Sequence, residues 1–441
     1  MYDIIIGRSE EDKHFGTKGC IFFGKHYVQM GQTTSLSNSV YIDMIRSHVI
    51  FICGKRGGGK SYTMGVFAEG LASLDDDVRQ NLSIIMLDTM GIYWTMKYPN
   101  HKEAEMLKEW NIDSKALESV RIYTPQKFHE LYKKKGIPTD YGFSIKPSEL
   151  QATDWCLSFD ISINDPIGVL IEKTITQLKK KANDFGVPDI VKELRKDTES
   201  DDNTRNAAIN RFLGTELWGL FSEEGTSLKE LAAPGATTIL DVSCYATMEN
   251  GWKVKALVIG LISQKLFLER MVARKNEEYQ EIKSQTHYFS QEDTSGKQQD
   301  FPMVWLVIDE AHEFLPREGK TAASDALITI LREGRQPGIS LVLATQQPAK
   351  IHTDVMTQAD TFISHRLTAK FDTEALGMLM QSYMREGLDV MLDSLPRVKG
   401  SALVFDDTNE KLYQIHIRPR FTWHGGESPI ALHNKKEVFG E

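Results

Sequence analysis

The stretch HVIFICGKRGGGKS, residues 48–61, joins an apolar run to a glycine-rich loop. Residues 48–53 have the composition of a buried strand, and residues 62–74 after the loop are rich in helix formers. The loop fits the phosphate-binding pattern G-x-x-x-x-G-K-[ST] at every fixed position. Because the strand and the helix that this pattern requires are both present, we interpret it as a P-loop and not as a chance glycine turn.

P-loop chemistry predicts a role for each residue type in the loop. Glycines allow backbone N–H groups to turn toward phosphate oxygens, and the N-terminus of the following helix adds partial positive charge. We expect Lys60 to reach the β- and γ-phosphates and Ser61 to bind Mg²⁺ through its hydroxyl group. The predicted cofactors are ATP and Mg²⁺, and the predicted nucleotide-binding residues are Gly54, Lys55, Arg56, Gly57, Gly58, Gly59, Lys60, Ser61 and Tyr62.

A second apolar run, residues 304–308, ends in two carboxylates, Asp309 and Glu310. Ligands of open α/β sheets bind at the carboxyl ends of the strands. Asp309 is therefore predicted to hold Mg²⁺ and Glu310 to polarise the attacking water, although an acidic turn would explain the pair if the P-loop were absent. The next residues, AHEFLP, exclude an H-E-x-x-H zinc site, because Pro316 stands where the second histidine is needed.

A third apolar run, residues 341–345, is followed by Gln346 and Gln347, whose amide groups suit contact with the γ-phosphate or the attacking water. Ahead of this run lies LREGRQPG, residues 331–338, which contains Arg332 and Arg335. Arginine binds phosphate through paired donors and stays charged when it is buried. From spacing alone, a surface salt bridge explains either arginine equally well.

Further apolar runs at residues 83–87 and 236–242 extend the strand pattern, and helical patterns separate the strands. Nearly all-apolar strands that alternate with helices indicate a parallel sheet covered on both faces, so the predicted fold class is α/β. The polar residues 275–300 have the composition of an exposed, mobile loop. We predict a small β-rich N-terminal unit (residues 1–45), a P-loop core (46–95 and 232–420), a mainly helical insertion (96–231) and a C-terminal tail (421–441).

The chain has 441 residues and a formal net charge of -9 at pH 7. An acidic total argues against a protein that coats duplex DNA with its whole surface, but it allows a local basic channel. No uncharged apolar run approaches the roughly 18 residues of a membrane span, and the N-terminus lacks the pattern of a secretory signal. The four cysteines are far apart and never form C-x-x-C, which favours reduced structural cysteine. We predict a cytoplasmic protein without a membrane partner.

Four stretches together resemble one known family: GKRGGGKS (54–61), VWLVIDEAHEFLP (304–316), LREGRQPGISLVLATQQP (331–348) and HTDVMTQADTFISHRL (352–367). The chain is similar to the HerA branch of the HerA–FtsK superfamily, and the likeness runs in order from about residue 47 to residue 424. Members of this branch are hexameric, ATP-driven DNA translocases with a RecA-like core. The resemblance therefore implies a homo-hexamer that binds double-stranded DNA.

The resemblance also implies roles for single residues. Lys60 and Ser61 would bind nucleotide and metal, Asp309 would assist the metal, Glu310 would be the catalytic base and Gln346 the sensor. Arg335 stands where the family has an arginine finger that reaches the neighbouring subunit's nucleotide, and Arg366 is a second candidate.

Two features depart from the family pattern. Asp88 matches the acidic residue that ends the second strand, but residues 88–93 are DTMGIY where the family usually has D-P-H-G-E-Y, so the glutamate is lost. The N-terminal β-rich unit is also shorter than the family's barrel, which helps ring assembly and partner docking.

The favoured function is an ATP-driven translocase or helicase that acts on double-stranded DNA as a hexameric ring, with a nuclease partner in DNA end processing or defence. The alternatives are a DNA-packaging ATPase and a P-loop switch whose nucleotide state controls a partner. Glu310 argues against a pure switch, because a catalytic base is useful only where hydrolysis matters. An ATPase rate that rises with long duplex DNA would distinguish a motor from a switch.

Overall fold

The computed structural model describes residues 2–30, 33–286, 301–367, 370–377 and 390–426. Within these ranges, thirteen strands form a single mixed sheet. In chain order the strands are β1 (Ile4–Ile6), β2 (Cys20–Met30), β3 (Thr33–Asp43), β4 (Val49–Cys53), β5 (Leu82–Asp88), β6 (Val120–Pro125), β7 (Tyr141–Phe143), β8 (Thr237–Asp241), β9 (Met303–Ile308), β10 (Ile339–Thr345), β11 (Thr361–His365), β12 (Ser401–Asp406) and β13 (Lys411–Ile417).

Eight neighbouring strands run parallel, in the order β11-β4-β10-β9-β5-β8-β6-β7. The sheet continues from β11 through β12, β13, β2 and β3 in antiparallel pairs, and β1 joins β3 in a parallel pair. Because the eight strands share one direction, the residues that follow them lie along one edge of the sheet. We call this the carboxyl edge, and the opposite edge, where these strands begin, the amino edge.

Helices cover the sheet on both faces. Among the α-helices of the described ranges are α1 (Lys60–Ala72), α2 (Asp76–Arg79), α3 (Ala104–Glu109), α4 (Gln126–Lys135), α5 (Ala152–Phe159), α6 (Pro166–Lys181), α7 (Val187–Arg195), α8 (Asp202–Gly214), α9 (Leu228–Leu231), α10 (Gly251–Thr286), α11 (Ser324–Glu333), α12 (Thr353–Gln358) and α13 (Lys370–Gly377). One hydrophobic cluster contains residues of α5 to α8, α10 and α11, and a second contains the apolar residues of α1.

The central strands contribute to both clusters because successive side chains of a strand point to opposite faces. In β4, Phe51 and Cys53 lie in the first cluster, whereas Ile50 and Ile52 lie in the second. All seven residues of β10 are buried. The predicted α/β fold with a covered parallel sheet is therefore confirmed, and each apolar run named from the sequence forms a strand.

The boundaries of the four predicted domains stay a prediction, but the strands add detail to two of them. The N-terminal strands are part of the main sheet, since His26 of β2 pairs with Ile415 of β13. The range 96–231 contains β6 and β7 as well as helices, and both strands extend the sheet beyond β8. Five of the six residues of β6 are buried, which is why this segment pairs with the sheet.

The prediction of a loop over residues 275–300 is wrong for its first part, because α10 continues to Thr286. Residues 287–300 lie outside the described residues. The polar end of the helix is supported by ion pairs one turn apart, such as Arg274 Nη2 with Glu278 Oε1 at 3.2 Å. A helix that is polar on all sides lacks the apolar stripe by which helices are recognised in a sequence.

The start of the predicted C-terminal tail packs tightly on α1. Glu69 of α1 is fully buried, and its carboxylate accepts hydrogen bonds from Arg418 Nη1 at 2.8 Å and Arg420 Nε at 3.1 Å. The backbone N–H of Thr422 also donates to it, at 3.0 Å. Phe421 and Thr422 are thus fixed to the helix that follows the P-loop, whereas residues 427–441 lie outside the described residues.

Candidate active site at the carboxyl edge

The glycine loop leaves β4 at Cys53 and enters α1 at Lys60. Gly57 and Gly59 have φ angles of 73° and 111°, in the left-handed region that glycine adopts without steric cost. Gly59 is the N-cap of α1, so the first backbone N–H groups of this helix lie at the loop. A helix N-terminus with free N–H groups binds anions, as the sequence predicts for this loop.

Lys60 is buried at the base of the loop. Its Nζ donates hydrogen bonds to the carbonyl oxygens of Gly54 at 2.9 Å and Lys55 at 3.3 Å, and it forms no ion pair within the described chain. Burial lowers the pKa of Lys60, while the nearby carboxylates of Glu310 and Asp309 act in the opposite direction. A buried ammonium group held only by carbonyl oxygens fits the phosphate-binding role.

Ser61 and Asp309 meet directly, although 248 positions separate them in the sequence. The Ser61 hydroxyl donates to Asp309 Oδ2 at 3.0 Å. Burial, and after it the charge of Glu310, raises the pKa of Asp309 to about 6. Hydroxyl and carboxylate oxygens are ligands that Mg²⁺ prefers, so this pair fits the predicted metal site together with phosphate oxygens. The described residues hold no group of three or more His, Cys, Asp and Glu side chains that could bind a metal alone.

Glu310 follows β9 with φ of 49°, a left-handed conformation that residues other than glycine rarely adopt. Its Oε1 accepts a hydrogen bond from Gln346 Nε2, and Gln346 directly follows β10. Its Oε2 is buried without a hydrogen-bond partner among the described residues. A buried carboxylate oxygen of this kind can accept a hydrogen bond from a water molecule. The structure therefore brings together Lys60, Asp309, Glu310 and Gln346.

His312 was considered in the sequence only as a zinc ligand, but it belongs to this cluster. Its Nδ1 lies 2.9 Å from Thr345 Oγ1 and 3.6 Å from Glu310 Oε2, and its Nε2 lies 3.3 Å from Gln347 Nε2. Burial lowers the pKa of His312, which favours the neutral ring. The residues that follow β9 and β10 are thus linked by side chains, a contact that sequence spacing does not reveal.

His365 is a second histidine that sequence reasoning missed. His365 is the last residue of β11 and is fully buried beneath the glycine loop. A Cβ added to Gly54 would lie 2.7 Å from the Cβ of His365. Its Nδ1 faces the carbonyl oxygen of Ser401 at 3.2 Å, so this nitrogen carries the proton and Nε2 accepts from Thr63 Oγ1 at 2.8 Å. Burial lowers the pKa of His365 to about 4, so the ring is neutral at pH 7.

Asp88 ends β5 and organises the turn that follows. Its carboxylate accepts hydrogen bonds from the backbone N–H groups of residues 90 to 93, including Gly91 at 2.7 Å and Tyr93 at 2.9 Å. The Tyr93 hydroxyl then donates to the carbonyl oxygen of Ser61 at 3.4 Å. Burial, and after it the charge of Asp241, raises the pKa of Asp88 to about 7. Asp88 thus touches the P-loop through Tyr93.

Tyr62, Lys55 and Arg56 complete the predicted nucleotide-binding set. The Tyr62 hydroxyl donates to Glu103 Oε2 at 2.7 Å and accepts from the backbone N–H of Arg420 at 2.6 Å. Its side chain is therefore engaged with the C-terminal segment. Lys55 and Arg56 are exposed at the outer side of the loop.

The two arginine candidates lie at opposite edges of the sheet. Arg335 is exposed in the turn between α11 and β10, at the amino edge. Arg366 is exposed directly after β11, at the carboxyl edge, and its carbonyl oxygen accepts from the backbone N–H of Lys55 at 3.4 Å. Only Arg366 is therefore close to the P-loop of its own subunit.

Comparison with known families adds to this geometry. The family described as "Helicase HerA, central domain" matches residues 24–249, just over half of the 441 residues. The chain belongs to the HerA helicase family. A second family, described as zonular occludens toxin (Zot), matches residues 240–414, which include the HerA-type stretches around Glu310 and Gln346.

Two curated HerA relatives match part of the chain. The DNA double-strand break repair helicase HerA of Pyrococcus furiosus is 26% identical over 178 residues, which are 39% of this chain and 31% of the relative. A probable HerA of Methanocaldococcus jannaschii is 31% identical over 121 residues, which are 26% of this chain and 24% of the relative. The matched part thus spans less than a third of either relative.

The likeness to solved structures extends over most of the fold. The structure of VirB4 of Thermoanaerobacter pseudethanolicus is similar with a TM-score of 0.54, over 91% of this chain and 97% of that chain. The two share 13% sequence identity, so this likeness shows the fold alone. It confirms the RecA-like P-loop architecture expected for a HerA-type chain. None of the helices in the described ranges combines the length and the apolar composition that crossing a membrane requires.

Proposed function

We propose that this chain is an ATP-hydrolysing motor that moves along double-stranded DNA as a hexameric ring. One observation carries the hydrolytic part of the proposal: Lys60, the Ser61–Asp309 pair and the Glu310–Gln346 pair meet at the carboxyl edge. These groups come from β4, β9 and β10, which are adjacent in the sheet. A switch that only binds nucleotide needs Lys60 and the Ser61–Asp309 pair, but it does not need a carboxylate positioned as a catalytic base.

Each group has a defined task in the proposed reaction. Lys60 binds the β- and γ-phosphate oxygens, and the α1 N-terminus adds its N–H groups. Ser61 and Asp309 would hold Mg²⁺, which neutralises charge on the phosphates when it is bound. Glu310 orients a water molecule through Oε2, and Gln346 fixes the opposite oxygen of the same carboxylate. As the water attacks the γ-phosphorus, its proton moves to Glu310 Oε2, and the bond between the γ-phosphorus and the β–γ bridging oxygen breaks, so that ADP leaves with that electron pair.

The DNA part of the proposal rests on family membership and on the relatives named as DNA double-strand break repair helicases. The hexamer and a nuclease partner in DNA end processing are likewise proposals from the resemblance. Contact with DNA would involve phosphates and not base edges, so it should depend steeply on salt and little on sequence.

The decisive experiment measures ATP hydrolysis by the purified chain with and without long linear duplex DNA, over a range of salt concentrations. We expect a rate that rises with duplex DNA, and DNA binding whose logarithm falls linearly with the logarithm of the salt concentration. Mass measurement with ATP and DNA present should give a hexamer. Hydrolysis that is slow and indifferent to DNA, in a monomeric protein, would instead support the P-loop switch.

The nuclease partner needs a separate test. The tagged chain is purified from its native cells in the presence of ATP, and the co-purifying proteins are assayed for cleavage of duplex DNA ends. A nuclease that co-purifies with the parent chain and raises its ATPase rate supports the partnership. Recovery of the chain in active form, without any nuclease activity, would contradict it.

A further inference from the structure

Nothing within the described chain holds the Arg335 side chain itself, which is exposed and forms no hydrogen bond or ion pair there. Its position depends on the backbone of the turn over residues 334–338, between α11 and β10. Two hydrogen bonds shape this turn from within: Ile339 N–H to Gly334 O at 2.8 Å, and Gly338 N–H to Arg335 O at 3.3 Å. The turn must also be anchored to the rest of the subunit.

Arg270 of α10 supplies that anchor. It is 1% exposed, and its Nε donates to the carbonyl oxygen of Pro337 at 2.6 Å. Its Nη1 donates to the carbonyl oxygen of Phe301 at 2.5 Å and lies 3.1 Å from Glu277 Oε1. A guanidinium group removed from water is stable only when its N–H groups are hydrogen-bonded, so these contacts fix it in one geometry.

Close packing adds to the hydrogen bonds. Gly338 has φ of +84°, and a Cβ at this position would lie 2.9 Å from Met303 Cγ and 3.1 Å from Arg270 Nη2. The turn therefore rests directly on the guanidinium group. A change in the position of Arg270 would move Pro337, and with it the backbone that carries Arg335.

We infer that Arg270 is a positioning residue for Arg335: from α10 it fixes the turn that aims Arg335 at the nucleotide of the neighbouring subunit. This inference rests on the proposed ring function, because Arg335 acts there only across a subunit interface. Displacement of a catalytic group by about 1 Å can lower a rate roughly hundredfold. Loss of Arg270 should therefore impair hydrolysis although Arg270 itself touches no nucleotide.

The test uses mixed assemblies of the full chain. Arg270→Ala and Arg335→Ala damage the side of an interface that supplies the arginine, whereas Glu310→Gln damages the side that binds phosphate. Arg8→Ala is the matched control, since Arg8 is also buried, at 2% exposure, and is paired with Asp43 in the N-terminal strands at 2.9 Å. ATP binding, hydrolysis and the formation of mixed rings are measured for each pair.

Arg270→Ala alone should bind ATP and hydrolyse it roughly a hundredfold more slowly than the parent. Mixed with Glu310→Gln, it should recover part of the activity, because some interfaces then have an intact Glu310 on one side and an intact Arg335 on the other. Mixed with Arg335→Ala, it should recover none, because every interface lacks a correctly held arginine. Arg8→Ala should lose stability while its rate in folded rings stays close to that of the parent.

With these variants, two results would overturn the inference while leaving the proposed function intact. If Arg335→Ala recovers with Glu310→Gln but Arg270→Ala does not, Arg270 serves the phosphate-binding side or the fold as a whole. If Arg8→Ala matches the kinetic loss of Arg270→Ala, the effect is one of general stability. If Arg335→Ala fails to recover in verified mixed rings, the proposed contact across the interface is wrong, and the role of Arg270 falls with it.

A variant that does not fold would be replaced by Arg270→Lys, which keeps the cation and one donor to Pro337 but loses the planar set of donors. It should show a smaller loss of rate with the same pattern of recovery. If Arg270→Lys hydrolyses ATP at the rate of the parent, both alone and in mixed assemblies, the fixed geometry of the guanidinium group is not needed. That result would contradict the inference.

Discussion

Arg335 and Arg366 are both exposed arginines beside strands of the parallel sheet, yet they lie at opposite edges of it. Arg366 follows the end of β11, and its backbone is hydrogen-bonded to the P-loop at Lys55. Arg335 precedes β10, whose seven residues separate it from Gln346. At about 3.3 Å per residue, that strand places more than roughly 20 Å between Arg335 and the site of its own subunit.

In the proposed ring, this difference predicts that the two arginines serve a shared site from different subunits. Arg335 can contact a nucleotide only if a second copy of the chain presents one to the amino edge. Arg366 is near the nucleotide site of its own chain and needs no partner to reach it. Substitutions at the two edges should therefore lower the hydrolysis rate by different factors, and the variants should behave differently in mixed assemblies.

The largest effect should come from the centre of the carboxyl edge. Lys60→Ala removes the buried ammonium group that we propose binds the β- and γ-phosphates, so we expect hydrolysis to be abolished and ATP affinity to fall. The measurement is steady-state phosphate release together with binding of a fluorescent ATP analogue. Undiminished hydrolysis would mean that ATP is hydrolysed at another site. The distances of Arg335 and Arg366 from the P-loop would then no longer bear on their roles.

Arg335→Ala should have the next largest effect. An arginine finger stabilises charge on the transferred phosphoryl group and is worth roughly 10³–10⁵ in rate. We expect nearly normal ATP binding, intact assembly and a rate reduced by about this factor. Arg332→Ala is the matched control, because Arg332 pairs with Asp354 at 2.6 Å and lies close to Arg335 in sequence. Equal losses in both variants would show that the effect is not specific to Arg335.

Glu310→Gln tests the base on the phosphate-binding side. The amide keeps the shape of the side chain but cannot take a proton, so turnover should fall at least about a hundredfold while ATP binds with near-parent affinity. Rapid mixing of ATP with the variant separates the binding step from the slow chemical step. Turnover within a few-fold of the parent would point to another base, and His312, which lies 3.6 Å from Glu310 Oε2, would be tested next.

Arg366→Ala should have a smaller effect, which we expect to be about tenfold in rate as for loss of a single charge-assisted hydrogen bond. Its backbone contact with Lys55 survives the substitution, so the P-loop should keep its shape. Mixed with Glu310→Gln, it should show no recovery, since both changes lie on the phosphate-binding side. Recovery of hydrolysis would mean that Arg366, like Arg335, acts across the subunit interface. The two arginines would then no longer differ in this respect.

Those parts of the candidate site that form a short, local sequence motif could be predicted from the sequence. The glycine loop with Lys60 and Ser61, and the carboxylates after β9, were recognisable because each motif lies within one strand and its following turn. The contact between Ser61 and Asp309 could be expected from the parallel sheet, since Asp309 directly follows β9 and Ser61 follows the loop after β4, both at the carboxyl edge. The assigned roles of these residues stay predictions until they are tested.

Other features depend on contacts between distant segments and leave no local pattern. His365 and Thr63 are 302 positions apart, and Glu69 meets Arg418 across 349 positions. Strand β6 was missed because it contains the polar residues Arg121 and Thr124 and lies in a mainly helical stretch, where its pairing with β8 and β7 defines it. The last part of α10, residues 275–286, was missed because it has no apolar stripe, and its helical form is supported by charged neighbours.

The last prediction concerns the free-energy cost of burying the Asp309 carboxylate at the carboxyl edge. Burial raises the pKa of Asp309 from 3.8 to about 6. Below pH 3.8 the carboxyl group is protonated in the folded and the unfolded chain, so it costs nothing. Between pH 3.8 and pH 6 the carboxyl group ionises in the unfolded chain before it ionises in the folded chain, which favours unfolding. Above pH 6 the free energy of unfolding is lowered by the full amount, about 3 kcal/mol at 1.36 kcal/mol per pKa unit.

Asp309→Asn removes this ionisation but keeps an acceptor for the Ser61 hydroxyl. Without nucleotide and Mg²⁺, the variant should therefore be more stable than the parent, by up to about 3 kcal/mol at pH 8 and by roughly half of that at pH 5. Urea unfolding at the two pH values measures the difference, and Asp325→Asn, at an exposed carboxylate paired with Lys320, is the control. Mg²⁺-dependent hydrolysis should be lost in the same variant. A gain that is equal at both pH values would mean that the Asp309 carboxylate is not the source of the cost, whereas a gain that grows with pH would show that this edge gives up stability to keep the charge of Asp309 in place.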